Sequence, residues 1–302
     1  MKLNKMKWIM GVLPLLLLGS CSEWTELESV DSEVKRPNEQ DPVLWARYMA
    51  ALQEYKKSEH FIVYARFENG SDPAMNEGNF MRCLPDSLDI VALTQPDKFS
   101  DFDREDLAVV HEKGTKVLFD IDYKARAGEF ADVAALNAYL DKAVAAVAAE
   151  GLDGYAFTTV PLNTEMTAAI VAKLAAAKTD GQLLVFEGSP LSIAEADRAK
   201  LDYIVLDTET DEHMQDVQLK VLHATGFAQI PAERLLLGAV AGKSLYDPDR
   251  VEYSAIDGMT YCTIAFGPVG GLAVFDIGAD YYHAGRNYDT VCRAILKLNP
   301  SR

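Results

Sequence analysis

The 302-residue chain is short of positive charge: 29 lysines and arginines stand against 46 aspartates and glutamates, a formal net charge of −17. Nucleic-acid backbones and anionic bilayers are bound through basic footprints, so the folded surface suits neither. Histidine is scarce, and His60, His111, His213, His223 and His283 show no metal-ligand spacing. Cysteine is limited to Cys21, Cys83, Cys262 and Cys292. None falls in a Cys-x-x-Cys pair, so zinc has no ligand set. No Gly-x-Gly-x-x-Gly follows a predicted strand, which removes the usual dinucleotide cradle. No metal and no cofactor are therefore expected. The apolar run 8–18 is too short for a comfortable membrane-spanning helix. One more absence is local: Gly151-Leu-Asp-Gly-Tyr-Ala-Phe-Thr-Thr-Val-Pro161 reads as a short buried strand whose end carries no carboxylate.

What is present begins with an export signal. Lys2, Lys5 and Lys7 precede the apolar stretch 8–18, and Leu18-Gly19-Ser20-Cys21 follows it. The tetrapeptide resembles a bacterial lipobox, which implies a signal peptide over 1–20 and lipidation of Cys21. Acyl chains there would tether the protein by roughly 0.8 kcal/mol per buried CH₂. Export to an oxidising compartment allows one pair among Cys83, Cys262 and Cys292 to bridge, and the odd number leaves at least one thiol unpaired. Residues 21–41 are polar and acidic with little periodicity, and read as a flexible tether. Its early acids, Glu23, Glu26 and Glu28, resemble the export tag of surface lipoproteins in Bacteroidetes. Localisation at the outer membrane, exposed on the cell surface, is the expectation.

The folded part spans 42–302. Apolar residues at helical spacing (Leu44, Tyr48, Ala51, Leu52, Tyr55) predict a first helix over 42–57, with Asp41 as N-cap and Pro42 at the first helical position. From residue 61 short apolar runs alternate with helix-like stretches. The runs cover 61–67, 88–93, 116–121, 154–160, 183–186, 203–206, 235–240 and 271–276. Near-continuous hydrophobicity suits parallel strands buried on both faces. Between them, 130–150 and 164–178 are alanine-rich and strongly helical in propensity. Eight such units in about 240 residues match a single-domain (β/α)₈ TIM barrel. An open doubly wound sheet is the rival.

The fourth run resembles the fourth strand of glycoside hydrolase family 18, whose pattern is Asp-Gly-x-Asp-x-Asp-x-Glu. Asp153 and Gly154 match; Ala156, Thr158 and Val160 replace the two later aspartates and the proton-donating glutamate. The 270–282 segment, Gly-Gly-Leu-Ala-Val-Phe-Asp-Ile-Gly-Ala-Asp-Tyr-Tyr, resembles the last strand and loop of the family's endo-β-N-acetylglucosaminidases, and 287–300 their last helix. With the lipobox and Tyr64-Ala-Arg-Phe67, the chain is similar to family-18-like lipoproteins of Bacteroides type. The resemblance covers about 60–302 and implies the barrel fold.

Family 18 chemistry is substrate-assisted. The sugar's acetamide oxygen attacks the anomeric carbon, and the enzyme supplies one general acid. Residues two apart on a strand point the same way, so the motif's acids enter the barrel mouth together. Alanine, threonine and valine deliver no proton near neutral pH, and a general acid contributes roughly 10²–10⁴-fold. No catalytic residue is therefore assigned. A relocated acid would have to come from another strand end, where Asp120, Asp122, Glu187, Asp207, Glu209 and Asp276 stand. A pyranose needs an aromatic face and planar polar partners. The ligand-binding residues expected are Phe67, Gln95, Asp122, Glu187, Asp207, Asp276 and Tyr281. Glu68, Asn69, Tyr123 and Tyr282 are further candidates, and His283 is the histidine placed nearest a mouth. Tyr155 and Phe157 have the parity of the helix-facing side. The leading expectation is a non-catalytic surface lipoprotein that binds N-acetylglucosamine-containing glycans and hands them to an outer-membrane transporter. The alternative is an active endo-β-N-acetylglucosaminidase or chitinase-like hydrolase with a relocated acid.

Overall fold

The structure, a computed structural model, describes residues 37–71 and 73–300. The chain divides into two units, 1–46 and 47–302. The described part of the first holds helix α1 (Pro37–Gln40) and the opening of α2 (Pro42–Lys57). Asp41 caps α2 as the sequence predicts, accepting from the Leu44 N–H at 2.9 Å. Cys21, the signal segment and most of the tether lie outside the described residues. Among the described residues no helix is long and apolar enough to cross a membrane.

The second unit is a closed barrel of eight parallel strands. They are β1 (Ile62–Phe67), β2 (Ile90–Leu93), β3 (Lys116–Ile121), β4 (Gly154–Thr158), β5 (Leu183–Glu187), β6 (Tyr203–Leu206), β7 (Leu235–Val240) and β10 (Gly271–Phe275). The order β1-β10-β7-β6-β5-β4-β3-β2 brings the first and last strands together, which settles the barrel against the open sheet. The outer layer comprises α3 (Asp101–Glu112), α4 (Tyr123–Arg126), α5 (Val133–Glu150), α6 (Thr164–Ala177), α7 (Glu195–Arg198), α8 (Met214–Leu222), α9 (Ala255–Ala265) and α10 (Asp289–Leu298). An antiparallel hairpin, β8 (Ser244–Tyr246) and β9 (Glu252–Ser254), follows β7. The strand-helix alternation does not foretell it.

The two strand faces make two cores. Tyr64, Leu118, Ala156, Val185, Val205, Leu236 and Ala273 fill the barrel interior. Val63, Phe119, Tyr155, Phe157, Phe186, Leu237 and Val274 face the helices and join Leu136, Leu140, Ile170 and Val291. Each fully buried Val, Leu, Ile or Phe contributes about 1.5–3 kcal/mol, so both faces must stay apolar. Entry into β4 depends on two glycines. Gly151 ends α5 at φ +71°, and Gly154 sits at φ +129° with its missing Cβ 2.0 Å from the Leu183 carbonyl oxygen. Any side chain at 154 would collide with β5. Cys83, Cys262 and Cys292 are all unpaired, so the pairing that export permits is not formed among the described residues.

Candidate functional site

The C-terminal mouth of the barrel holds a cavity of about 280 Å³. Its wall comes from successive strand ends: Arg66 after β1's midpoint, Asp122 beyond β3, Thr158 on β4, Glu187 on β5, Asp207 beyond β6 and Phe275 on β10. A cavity of about 320 Å³ adjoins it, sharing Glu209 and Val240. Another of about 360 Å³ lies on the other side, sharing Arg66 and Phe275.

Arg66 organises the floor. It is a cation on an otherwise apolar strand, turned into the barrel, and burial of a charge requires partners. Its Nη2 lies 2.6 Å from Asp120 Oδ2 and 3.7 Å from Asp122 Oδ2, and its Nη1 3.6 Å from Glu187 Oε2. The guanidinium also sits 5.5 Å from the centre of the Phe275 ring. Tyr64, two residues earlier on the same face, donates its hydroxyl to Glu187 Oε1 at 2.5 Å. Glu187 is 8% exposed and Asp120 3%. Burial, then the Asp120 charge, raise the Glu187 carboxyl well above the ordinary glutamate value; Arg66 and the Tyr64 hydrogen bond oppose this. Asp120 is also raised, by burial first, against the pull of Arg66 and with the help of Asp122. Asp120 Oδ1 and Arg66 Nε are buried with no hydrogen-bond partner among the described residues.

β4 itself brings no acid to this floor. Ala156 is fully buried in the barrel interior. Thr158 donates to Asp122 Oδ1 at 2.9 Å and accepts from the Lys124 N–H at 2.8 Å. It thus braces the start of α4, where Asp122 also accepts from the Ala125 N–H. Val160 lies past the strand end and packs against the outer core, away from the cavity that Thr158, Thr159 and Pro161 line. The register places carboxylates on the flanking strands instead. Asp120 of β3 is level with Ala156, and Glu187 of β5 is level with Thr158. Asp153, the motif's surviving aspartate, is a brace at the strand's opposite end. It accepts from His111 Nε2 at 2.7 Å, Lys116 Nζ at 2.8 Å and the Val117 N–H at 2.9 Å. Burial raises its carboxyl, but these donors outweigh it and hold it below the usual aspartate value.

Three of the seven expected ligand residues, Asp122, Glu187 and Asp207, meet in the central cavity. Asp276 lines the cavity beside it, together with Glu68. The other three lie outside the central cavity. Phe67 borders that neighbouring cavity but is only 2% exposed, because its parity packs the ring into the helix-facing core. The Gln95 amide is taken up by its neighbours, donating to Glu68 at 2.6 Å and accepting from Lys98 at 2.6 Å. Tyr281 packs edge-on to Tyr288 with its hydroxyl 3.3 Å from Glu77, outside the cavities. Asn69 and Tyr123 are buried braces, Tyr282 is 84% exposed, and His283 pairs with Asp280 at 2.8 Å. Tyr155 and Phe157 face the helices as expected. Sequence reasoning missed Arg66, Tyr64, Lys124, Ser189, Ser192 and Phe275. A lone arginine inside an apolar strand was the available signal for the first two.

The arrangement can hold polar groups against Asp122, Asp207, Ser189, Ser192 and Lys124, with Phe275 as the apolar surface. It can also keep one proton on Glu187 near neutral pH. Among the described residues no group of three or more histidine, cysteine or carboxylate side chains is placed to hold a metal ion.

Comparison with known proteins places this geometry. The family model "Glycoside hydrolase family 18, BT1044-like" matches residues 25–146, ending before β4. No curated protein matches the chain. Among solved structures, a selenomethionine BT1044 Glu-to-Gln variant superposes with TM-score 0.69 at 17% identity, covering 88% of this chain and 96% of that one. The endo-β-N-acetylglucosaminidase of Cordyceps militaris gives 0.63 at 18%, covering 84% and 96%. YKL-39 solved with chitooligosaccharides gives 0.62 at 13%, covering 80% and 100%. At such identities these likenesses establish the fold. The chain is glycoside hydrolase family 18-like, similar to the BT1044-like group over residues 25–146 and sharing the family's (β/α)₈ barrel.

Proposed function

We propose that the protein binds N-acetylglucosamine-containing glycans at its barrel mouth without cleaving them. On this reading it is a surface lipoprotein anchored through Cys21 that presents glycans to an outer-membrane transporter. The observation that carries it is the state of β4. Its motif positions hold Ala156 in the interior core, Thr158 tied to Asp122 and Val160 turned into the outer core. A general acid is missing where the family's chemistry needs one, while a polar cavity beside Phe275 remains. Solved relatives of the same fold support the ligand class: one holds chitooligosaccharides and another fucosyl-N-acetylglucosamine-Asn.

One observation favours the hydrolase alternative. Glu187 lines the cavity, stands level with Thr158 on the next strand and retains its proton towards neutral pH. That is the property of a general acid. Two assays on one preparation decide. Calorimetry with chitotetraose and with a high-mannose N-glycan is expected to give saturable binding. Chromatography after long incubation with N-glycopeptide is expected to give no free glycan. Release that is lost in Glu187→Gln would overturn the non-catalytic reading. Neither heat nor release would overturn both readings.

A further inference from the structure

We propose that the protein has a second carbohydrate site, outside the barrel mouth, in the cleft bounded by α8, α9 and the β8–β9 hairpin, which takes a neutral pyranose oligosaccharide. The cleft is a cavity of about 420 Å³ lined by Gln215, Gln218, Asp249, Tyr253, Tyr261 and Lys297 among others. Sites for small molecules run from about 300 to 1,000 Å³, so one or two sugar rings are in scale. It shares no residue with the three cavities of the mouth.

The backbone elements explain why these side chains converge. α9 buries Ile256, Met259, Thr260, Cys262 and Thr263, which leaves Asp257 and Tyr261, four residues apart, on its outer stripe beside the cleft. α8 buries Met214, Val217 and Val221, and offers Gln215 and Gln218 from its first turns. The hairpin tip is fixed by Asp247, which accepts from the N–H groups of Asp249 and Val251 at 2.9 and 2.8 Å. Tyr253 is held at that tip, its hydroxyl 3.4 Å from the same carboxylate.

Two properties point to a sugar. The first is aromatic surface: Tyr261 is 53% exposed and Tyr253 40%, within one concave site. A pyranose ring has an apolar face of C–H groups that packs on such a ring, while its hydroxyls need planar donors and acceptors at the edge. The second is that those partners are present and uncommitted. The side chains of Gln215, Gln218, Asp249 and Lys297, and the Tyr261 hydroxyl, make no hydrogen bond or ion pair with any described residue. In the mouth, by contrast, Arg66, Asp120, Asp122, Thr158 and Glu187 are bonded to one another. The cleft's carboxylates, Asp247, Asp249 and Asp257, outnumber Lys297 and disfavour an acidic sugar. This site extends the glycan-binding reading of the mouth but stands on its own residues.

The test is calorimetric titration of the full chain with chitotetraose and, separately, with a neutral high-mannose N-glycan. Three variants accompany it. Tyr261→Ala removes the more exposed of the cleft's two tyrosine rings, on an exposed helix position. Tyr261→Phe keeps the ring without its hydroxyl. Ser192→Trp fills the mouth. The wild-type chain is expected to take up two glycans and each of Tyr261→Ala and Ser192→Trp one, with the remaining class of site unchanged. Tyr261→Phe should keep the cleft within a few-fold of wild type, whereas Tyr261→Ala should weaken it at least about tenfold, the equivalent of 1.4 kcal/mol. If Tyr261→Ala binds with wild-type stoichiometry and affinity, the cleft proposal fails whatever the mouth does. If instead Ser192→Trp changes nothing, the mouth reading fails and the cleft proposal stands.

Discussion

Glu187→Gln offers the sharpest check on the electrostatics of the barrel floor. The Glu187 carboxyl is buried beside Asp120, and those two causes move it from an ordinary 4.5 up to about 8. The unfolded chain therefore releases this proton near the ordinary value, while the folded chain keeps it until about pH 8. Between those limits the folded state binds the extra proton, so the free energy of unfolding falls as pH rises. The contribution is complete below the unfolded value and is lost as pH climbs through the folded one. One proton gives a limiting slope of about 1.4 kcal/mol per pH unit, or about 3 kcal/mol over two units. Glutamine keeps the shape and can still accept from the Tyr64 hydroxyl, but has no proton to lose. Urea unfolding of both proteins from about pH 5 to about pH 7 should show wild type losing stability relative to the variant by that order. His60 is also raised: burial lowers it, but the hydrogen bond and charge of Asp89 and the Ser58 carbonyl together outweigh burial, and the resulting slope has the same sign. It is common to both proteins and cancels in the difference. Asp120, raised in the same pH range and sharing the buried site with Glu187, does not cancel, so the difference reports the pair; a difference flat within about 0.5 kcal/mol would mean that Arg66 keeps both carboxylates ionised throughout, and the reasoning would be refuted.

Val160→Glu restores the family's letter but not its geometry, because residue 160 packs on the outer core. It should release no glycan from N-glycopeptide and should cost about 1–3 kcal/mol through a carboxylate partly buried against apolar side chains; appearance of hydrolysis would show that the position faces the mouth. Asp153→Ala should destabilise by about 3 kcal/mol at neutral pH, since it removes the acceptor for His111, Lys116 and the Val117 N–H. Its depressed carboxyl contributes above the ordinary aspartate value and loses that contribution as pH falls, so the penalty measured by urea unfolding should shrink below about pH 4. Glycan affinity, read by calorimetry, should be unchanged, because Asp153 is at the far end of β4 from the mouth.

The strands were legible because each is apolar on both faces, a demand that only a covered parallel sheet makes. Parity alone also told Tyr155 and Phe157, facing helices, from Ala156, facing the interior. The same rule would have withdrawn Phe67, which shares the outward face of β1 with Val63 and Ala65. Beyond a strand end the two-residue alternation stops, and there the sequence misled: Val160 turns outward and Tyr281 packs on Tyr288 instead of facing a ligand. Gln95 could not be judged without its neighbours, since Glu68 and Lys98 take up its amide.

The amino-acid order by itself determined the number and type of the barrel elements and the loss of the acid from the fourth strand. Those follow from side-chain period and residue identity, which are local. Closure of β1 on β10, the level of Glu187 beside Thr158, and the gathering of three carboxylates round Arg66 were decided by the tertiary structure alone. Each depends on strand register and on burial, which join residues distant along the chain and leave no trace in their spacing along it.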